Sequence, residues 1–152
     1  MSNPARVQEQ KQQTLNLLNL LNRADARDAA KIWPRFEDDY FLRHTPEELA
    51  WHLPAIARAD DSTMPLLLVR GLTGSGTAVF LYTKDRDHLF GLTTGVLAQL
   101  GLNIIDARLN TTDDGYVLDS YAVVEENGTE LDTDSFHEIQ TALRSLIAAP
   151  SI

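Results

Sequence analysis

The chain has 152 residues, no cysteine and a formal net charge of −9, from 22 acidic against 13 basic residues. That balance argues against sequence-independent nucleic-acid binding, which depends on lysine and arginine neutralising phosphates. The missing thiols exclude disulfides, thiolate catalysis and cysteine-ligated zinc. No apolar run approaches the roughly 20 residues of a membrane-spanning helix, and the N-terminus lacks an apolar signal core, so no membrane contact and a cytoplasmic setting are expected.

Residues 1–62 read as a helical arm and linker. From about Arg6, Leu15, Leu18 and Leu21 (or Asn22) recur at helical spacing, a narrow stripe suited to packing on a neighbour. Asp25 to Ile32 suggests a second short helix, stopped at Trp33-Pro34 because proline disfavours a helical residue before it. Arg35 to His44 then interleaves charges with Phe36, Tyr40 and Phe41, and reads as an aromatic anchor for the arm. Thr45-Pro46-Glu47-Glu48 is a helix start: Thr45 caps, Pro46 takes the first helical position and Glu48 can close a capping box. Leu49, Trp51, Leu53 and Ile56 follow, with Pro54 expected to kink or end the helix. Asp60-Asp61-Ser62 reads as a linker.

Residues 63–152 predict an α+β unit. Pro65 to Arg70 reads as a strand, Gly71 to Gly76 as a hairpin loop and Gly76 to Thr83 as a second strand. A polar turn, Lys84 to Asp87, leads into a helix with Leu89, Leu92, Val96, Leu97 and Leu100 on one face, stopped by Gly101. In the next strand, Ile104 to Thr111, the alternation predicts Ile105, Ala107 and Leu109 buried against a wet face of Asp106, Arg108 and Asn110. Asp114-Gly115 suits a tight hairpin turn into Tyr116 to Val124, which is apolar on both parities and so ambiguous in facing. After a turn at Asn127-Gly128, a last helix from about Asp134 to Ala148 carries Phe136, Ile139, Leu143 and Ile147, and Pro150 ends it.

Catalytic patterns fail on context. Gly74-Ser75 with Asp85 and Asp87 imitates the spacing of a nucleotidyltransferase metal site, but the intervening GTAVFLYTK is a strand where that chemistry needs a helix. His44, His52, His88 and His137 have no metal-ligand spacing, the glycine-rich loop lacks the Lys-Ser/Thr of a P-loop, and no serine lies in a nucleophile elbow. No catalytic residue and no metal ligand emerges. The turn Asp85 to Leu89 remains: it opens a helix whose unpaired N–H groups and dipole attract a carboxylate, as on a small amino acid.

Thr83 to Phe90, Leu100 to Arg108 and Thr112 to Asp119 together resemble an ACT domain, a βαββαβ regulatory module of ferredoxin-like topology that binds amino acids, usually between two copies. Trp33 to Glu48 followed by Ala50-Trp51-His52 resembles the segment before the first ACT domain in the bifunctional PII uridylyltransferase and uridylyl-removing family. The resemblance implies a piece of such an enzyme, with arm 1–62 and ACT-like domain 63–152, and without its catalytic domains. It also implies that the parent is a transferase acting on the PII signal protein with Mg²⁺ and UTP, and a phosphodiesterase that removes the uridylyl group. The ligand implied is glutamine, held by Asp85, Arg86, Asp87, His88, Leu89 and Phe90 with Leu102, Asn103 and Ile104; a second ACT domain or a homodimer would complete the module. Two features depart from the pattern. The fourth strand is missing, and residues 65–70 are expected to fill its edge beside Ala78 to Tyr82. The position usually held by glycine is His88. That residue separates a glutamine sensor from the alternative, a structural or dimerisation module coupling the catalytic domains to a second ACT domain.

Overall fold

The computed structural model describes residues 3–21, 26–72, 76–128 and 130–148. The expectations at Asn22, Asp25, Gly74-Ser75 and Pro150 lie outside those residues. Four strands, β1 (Leu66–Gly71), β2 (Thr77–Lys84), β3 (Leu102–Thr111) and β4 (Tyr116–Glu125), form one antiparallel sheet in the order β1-β2-β4-β3. β1 pairs with β2 from Leu66↔Tyr82 to Gly71↔Thr77. The segment before the βαββα unit therefore occupies the edge that a fourth strand would take in a ferredoxin-like order. A short connection makes this antiparallel pairing the nearest one available to the β1 backbone.

Both faces of the sheet are covered. On one, α5 (Leu89–Gln99) and α6 (Thr133–Ala148) bring Leu89, Leu97, Ile139, Leu143 and Ile147 against Leu67, Val79, Leu81, Val117, Tyr121 and Val123. On the other lies the arm: α1 (Pro4–Leu20), α2 (Ala26–Ile32), α3 (Asp38–Leu42) and α4 (Pro46–Arg58). Its Trp33, Phe36, Tyr40, Phe41, Leu49, Leu53 and Ile56 share one buried cluster with Phe80, Tyr82 and Leu118 of the sheet. Burial on both faces explains why β4, the strand between β2 and β3, is apolar on both parities. Among the described residues, no helix is long and apolar enough to cross a membrane.

Local chemistry sets the arm's elements. The capping box of α4 is formed: Glu48 N–H donates to Thr45 Oγ at 3.2 Å and Thr45 N–H to Glu48 Oε1 at 2.8 Å. Pro54 does not end the helix, which runs one further turn to Arg58. Leu53, Pro54 and Ile56 are all buried there, and that packing outweighs the lost N–H. Leu21 is 65% exposed, contrary to its place in the expected stripe. The buried side of α1 is Val7, Thr14 and Leu18, with Gln10 donating to the carbonyls of Phe41 and His44. A stripe containing a glutamine and a threonine escapes a search for apolar spacing.

The facing of β3 also corrects the alternation. A bulge between Ile104 and Asp106 leaves Ile105 without a partner on β4, and its side chain is 61% exposed. Beyond the bulge, Arg108 lies opposite Ser120 and Asn110 opposite Leu118, which places this polar side under the arm, where Asn110 is buried. Leu109, opposite Asp119, sits on the helix-covered side at the sheet edge and is 42% exposed. Of the expected wet face, Arg108 and Asn110 lie under the arm, while Asp106 stays exposed.

Candidate functional site

The chain leaves β2 at Lys84, opposite Tyr116, and Asp85 N–H donates to the Gly115 carbonyl at 2.9 Å. The turn is thereby tied to the β3–β4 hairpin. Arg86 reaches the other way, its Nη1 donating to the Ile147 carbonyl in the last turn of α6 at 2.9 Å. His88 then takes left-handed angles, φ 63° and ψ 17°, the one non-glycine with positive φ among the described residues. A backbone that favours glycine carries an imidazole here. His88 supplies no side-chain cap to α5; Leu89 N–H donates to the Arg86 carbonyl at 3.3 Å, and the N–H groups of Phe90 and Gly91 lack an acceptor among the described residues. The next ring, Phe90, is 49% exposed and stacks on Tyr121 at 6.4 Å and 23°.

Leu102, Asn103 and Ile104 lie elsewhere. Leu102 is opposite Glu125, while Lys84 is opposite Tyr116, nine positions back along β4. At about 3.3 Å per residue the two groups are about 30 Å apart. Asp85 to Phe90 are brought together at one end of the sheet, and Leu102 to Ile104 mark the other end of the β3 edge. They do not meet within one chain.

Beneath the first turn of α5 lies a polar cluster that the sequence pattern did not single out. Asp119, on β4 between Val117 and Tyr121, faces the α5 side of the sheet and is 5% exposed. Burial raises its pKa to about 7; the Asn110 backbone N–H pulls down, and the Asp85 charge pushes up further. Burial, and then the Asp119 charge, push the Tyr121 hydroxyl upward too. That hydroxyl approaches Thr93, which pulls its pKa the other way, but makes no hydrogen bond of proper geometry; Thr93 Oγ donates to the Leu89 carbonyl at 2.8 Å. The signal available beforehand was a lone aspartate inside an apolar strand, visible at Leu118-Asp119-Ser120.

On the opposite face the arm is clamped to β3 and β4. Arg108 Nη1 and Nη2 hold Glu48 at 3.0 and 2.9 Å, and Nη1 also donates to the Arg43 carbonyl at 2.6 Å. Burial works against the Glu48 carboxylate, but Arg108 and the Thr45 N–H outweigh it and keep its pKa below the ordinary value. Glu37 accepts from Asn110 Nδ2 and Thr111 N–H, Arg35 pairs with Asp114 at 2.7 Å, and Phe36 bridges Thr112. His44 Nδ1 lies 2.7 Å from the Tyr40 carbonyl and Nε2 2.7 Å from Ser120 Oγ. The Tyr40 hydroxyl lies 2.8 Å from His52 Nδ1, and the His52 ring stacks on Phe80 at 3.6 Å. Ser120 thus faces the arm, while Asp119 beside it faces the start of α5.

Comparison with known proteins bears on these two regions. The family model described as "Uridylyltransferase GlnD fifth domain" matches residues 3–55, which is most of the arm. A protein of Vibrio cholerae described as a bifunctional uridylyltransferase/uridylyl-removing enzyme is 37% identical over 97% of this chain and 17% of its own length. One of the same description from Methylococcus capsulatus is 47% identical over 68% of the chain and 12% of its own length. Another from Ectopseudomonas mendocina is 38% identical over 84% and 15%. The chain spans about a sixth of the length of the curated relatives that match nearly all of it. No solved structure matches it.

Proposed function

The chain belongs to the family of bifunctional uridylyltransferase/uridylyl-removing enzymes, and from that premise we propose that its βαββα unit is an ACT-like regulatory module that senses glutamine. The observation that carries this reading is the start of α5, a helix N-terminus without a side-chain cap whose Phe90 and Gly91 N–H groups have no acceptor among the described residues, beside a glycine-like backbone position and an exposed aromatic ring. Such an end takes a carboxylate through its free N–H groups and dipole. Arm 1–62 and module 63–152 then act together, the arm carrying ligand state toward the rest of the enzyme. On this reading uridylyl transfer to PII, with Mg²⁺ and UTP, and uridylyl removal belong to other parts of the longer cytoplasmic protein.

The remaining site residues enter through a second copy or a second ACT domain. β3 is an edge strand with Ile105 and Leu109 exposed; the arm takes its last residues, where Glu37 accepts from Thr111 N–H and Phe36 bridges Thr112, and the apolar edge before them, from Leu102 to Leu109, favours pairing. Antiparallel pairing of two such edges sets the start of one β3 against the end of the other. Leu102 to Ile104 of one copy thereby approach Asp85 to Phe90 of its partner. Sedimentation equilibrium with and without glutamine tests this: the reading expects glutamine to shift the chain toward dimer, and an unchanged monomer that binds no glutamine contradicts it.

A second reading is favoured by His88 and by the arm clamp. An imidazole where the backbone wants glycine narrows the approach of a ligand, and the Arg108–Glu48 contact suits a purely mechanical coupler. Under that reading His88→Gly leaves glutamine binding absent; under the sensing reading it leaves binding intact or strengthens it.

A further inference from the structure

Asp119 and Tyr121 are neighbouring buried groups, 5% and 2% exposed; the Asp119 carboxyl is met by the Asn110 backbone N–H. Among the described residues no cationic side chain offsets the Asp119 carboxyl, and the titratable groups that bear on it, Asp85 in the turn and Tyr121 on β4, are both acidic. The Tyr121 hydroxyl has no hydrogen-bond partner. Leaving buried polar groups unmatched is costly, and an apolar or amide side chain would serve the core better. What both groups lack is a cation that donates hydrogen bonds. They lie under the first turn of α5, beside the ring of Phe90, next to the helix end assigned to a carboxylate.

We propose that Asp119 and Tyr121 form the amino-group subsite of an α-amino-acid site whose carboxylate subsite is the N-terminus of α5, a proposal that rests on the sensing reading above. The ligand ammonium donates to the Asp119 carboxylate and to the Tyr121 hydroxyl oxygen. Its access runs past Phe90, whose ring stacks on Tyr121 and must move to admit it. A free amino acid satisfies both subsites at once; a carboxylate without an amino group satisfies only the first. Because burial holds the Asp119 carboxyl near neutrality, pairing with an ammonium drives its proton to solvent, so binding at pH 7 releases protons.

Calorimetry of the whole chain at pH 7, in buffers of different ionisation enthalpy, tests the subsite with glutamine and with its desamino analogue, 4-carbamoylbutanoate. Wild type is expected to prefer glutamine by roughly tenfold or more, the range of one charge-assisted hydrogen bond, with a buffer-dependent heat that reports proton release. Asp119→Asn, nearly isosteric, should lose that preference and the proton release together. Tyr121→Phe, which keeps the carboxyl, should weaken glutamine several-fold while retaining proton release; it carries the test if the asparagine variant does not fold. Glutamine binding with the preference unchanged in Asp119→Asn, or in Tyr121→Phe if only that variant folds, overturns the subsite and leaves the sensing reading standing. A wild type that binds neither compound overturns both.

Discussion

Lowering the pH from 7 to 5 should loosen the arm from the sheet through His44. The ring is 3% exposed, and because the Tyr40 carbonyl can only accept, Nδ1 carries the proton and Nε2 of the neutral ring accepts from the Ser120 hydroxyl. Burial lowers its pKa from 6.5 to about 4; the Tyr40 carbonyl and Glu48 pull upward, Arg108 and Arg43 downward. The unfolded chain is therefore protonated first. Stability is full above pH 6.5, falls as the pH drops below it, and has lost the whole increment below 4. The gap corresponds to about 3.4 kcal/mol, of which about 2 kcal/mol is gone at pH 5. Asp119 titrates with the opposite sign, so the effect is read as a difference between two proteins. Urea denaturation of wild type and His44→Gln, whose amide can hydrogen-bond without charging, should show the variant's penalty at pH 7 shrinking by about 2 kcal/mol at pH 5. A penalty that is the same at both values would refute the burial argument.

Other perturbations address the same framework. Arg108→Met leaves Glu48, whose side chain is 19% exposed, without its bidentate partner; a cost of about 2 kcal/mol, between the exposed and buried limits, should appear in the urea midpoint. His88→Gly relieves a left-handed backbone costing about 1–2 kcal/mol but adds freedom to the unfolded chain, so a net gain of about 0.5 kcal/mol should raise the melting temperature. The Asp119 carboxyl titrates at about 7 when folded against 3.8 when free. Its stability is thus full below 3.8 and lost as the pH rises through 7. Asp119→Asn should accordingly gain on wild type by up to about 4 kcal/mol between pH 3 and pH 8, measured by denaturation across that range.

The elements were legible because their signals are local. Thr45-Pro46-Glu47-Glu48 carries its capping box within four residues, and Asp114-Gly115 its turn within two. The filling of the vacant edge by β1 followed from a short loop and one open partner. What escaped depends on contacts distant in sequence or on a single inserted residue. Ile105 bulges without any break in the alternation that would announce it. Arg108 and Asn110 look wet until the arm, some 60 to 70 residues earlier, is laid over them. His44 and His52 carry no spacing motif, since their partners are Ser120 and Phe80 on strands formed later. At the candidate site, the turn and helix start were readable from Asp85 to Phe90. The placement of Leu102 to Ile104 at the other end of the sheet required the register, and the burial of Asp119 required α5 above it.

Amide hydrogen exchange of the chain with and without glutamine, at protein concentrations that span dimerisation, tests the sensing proposal most directly. Protection should rise together in Asp85 to Phe90 and in Leu102 to Ile104, and only where dimer forms, because the two segments share a site across copies. Exchange unchanged by glutamine in both segments at every concentration would contradict it.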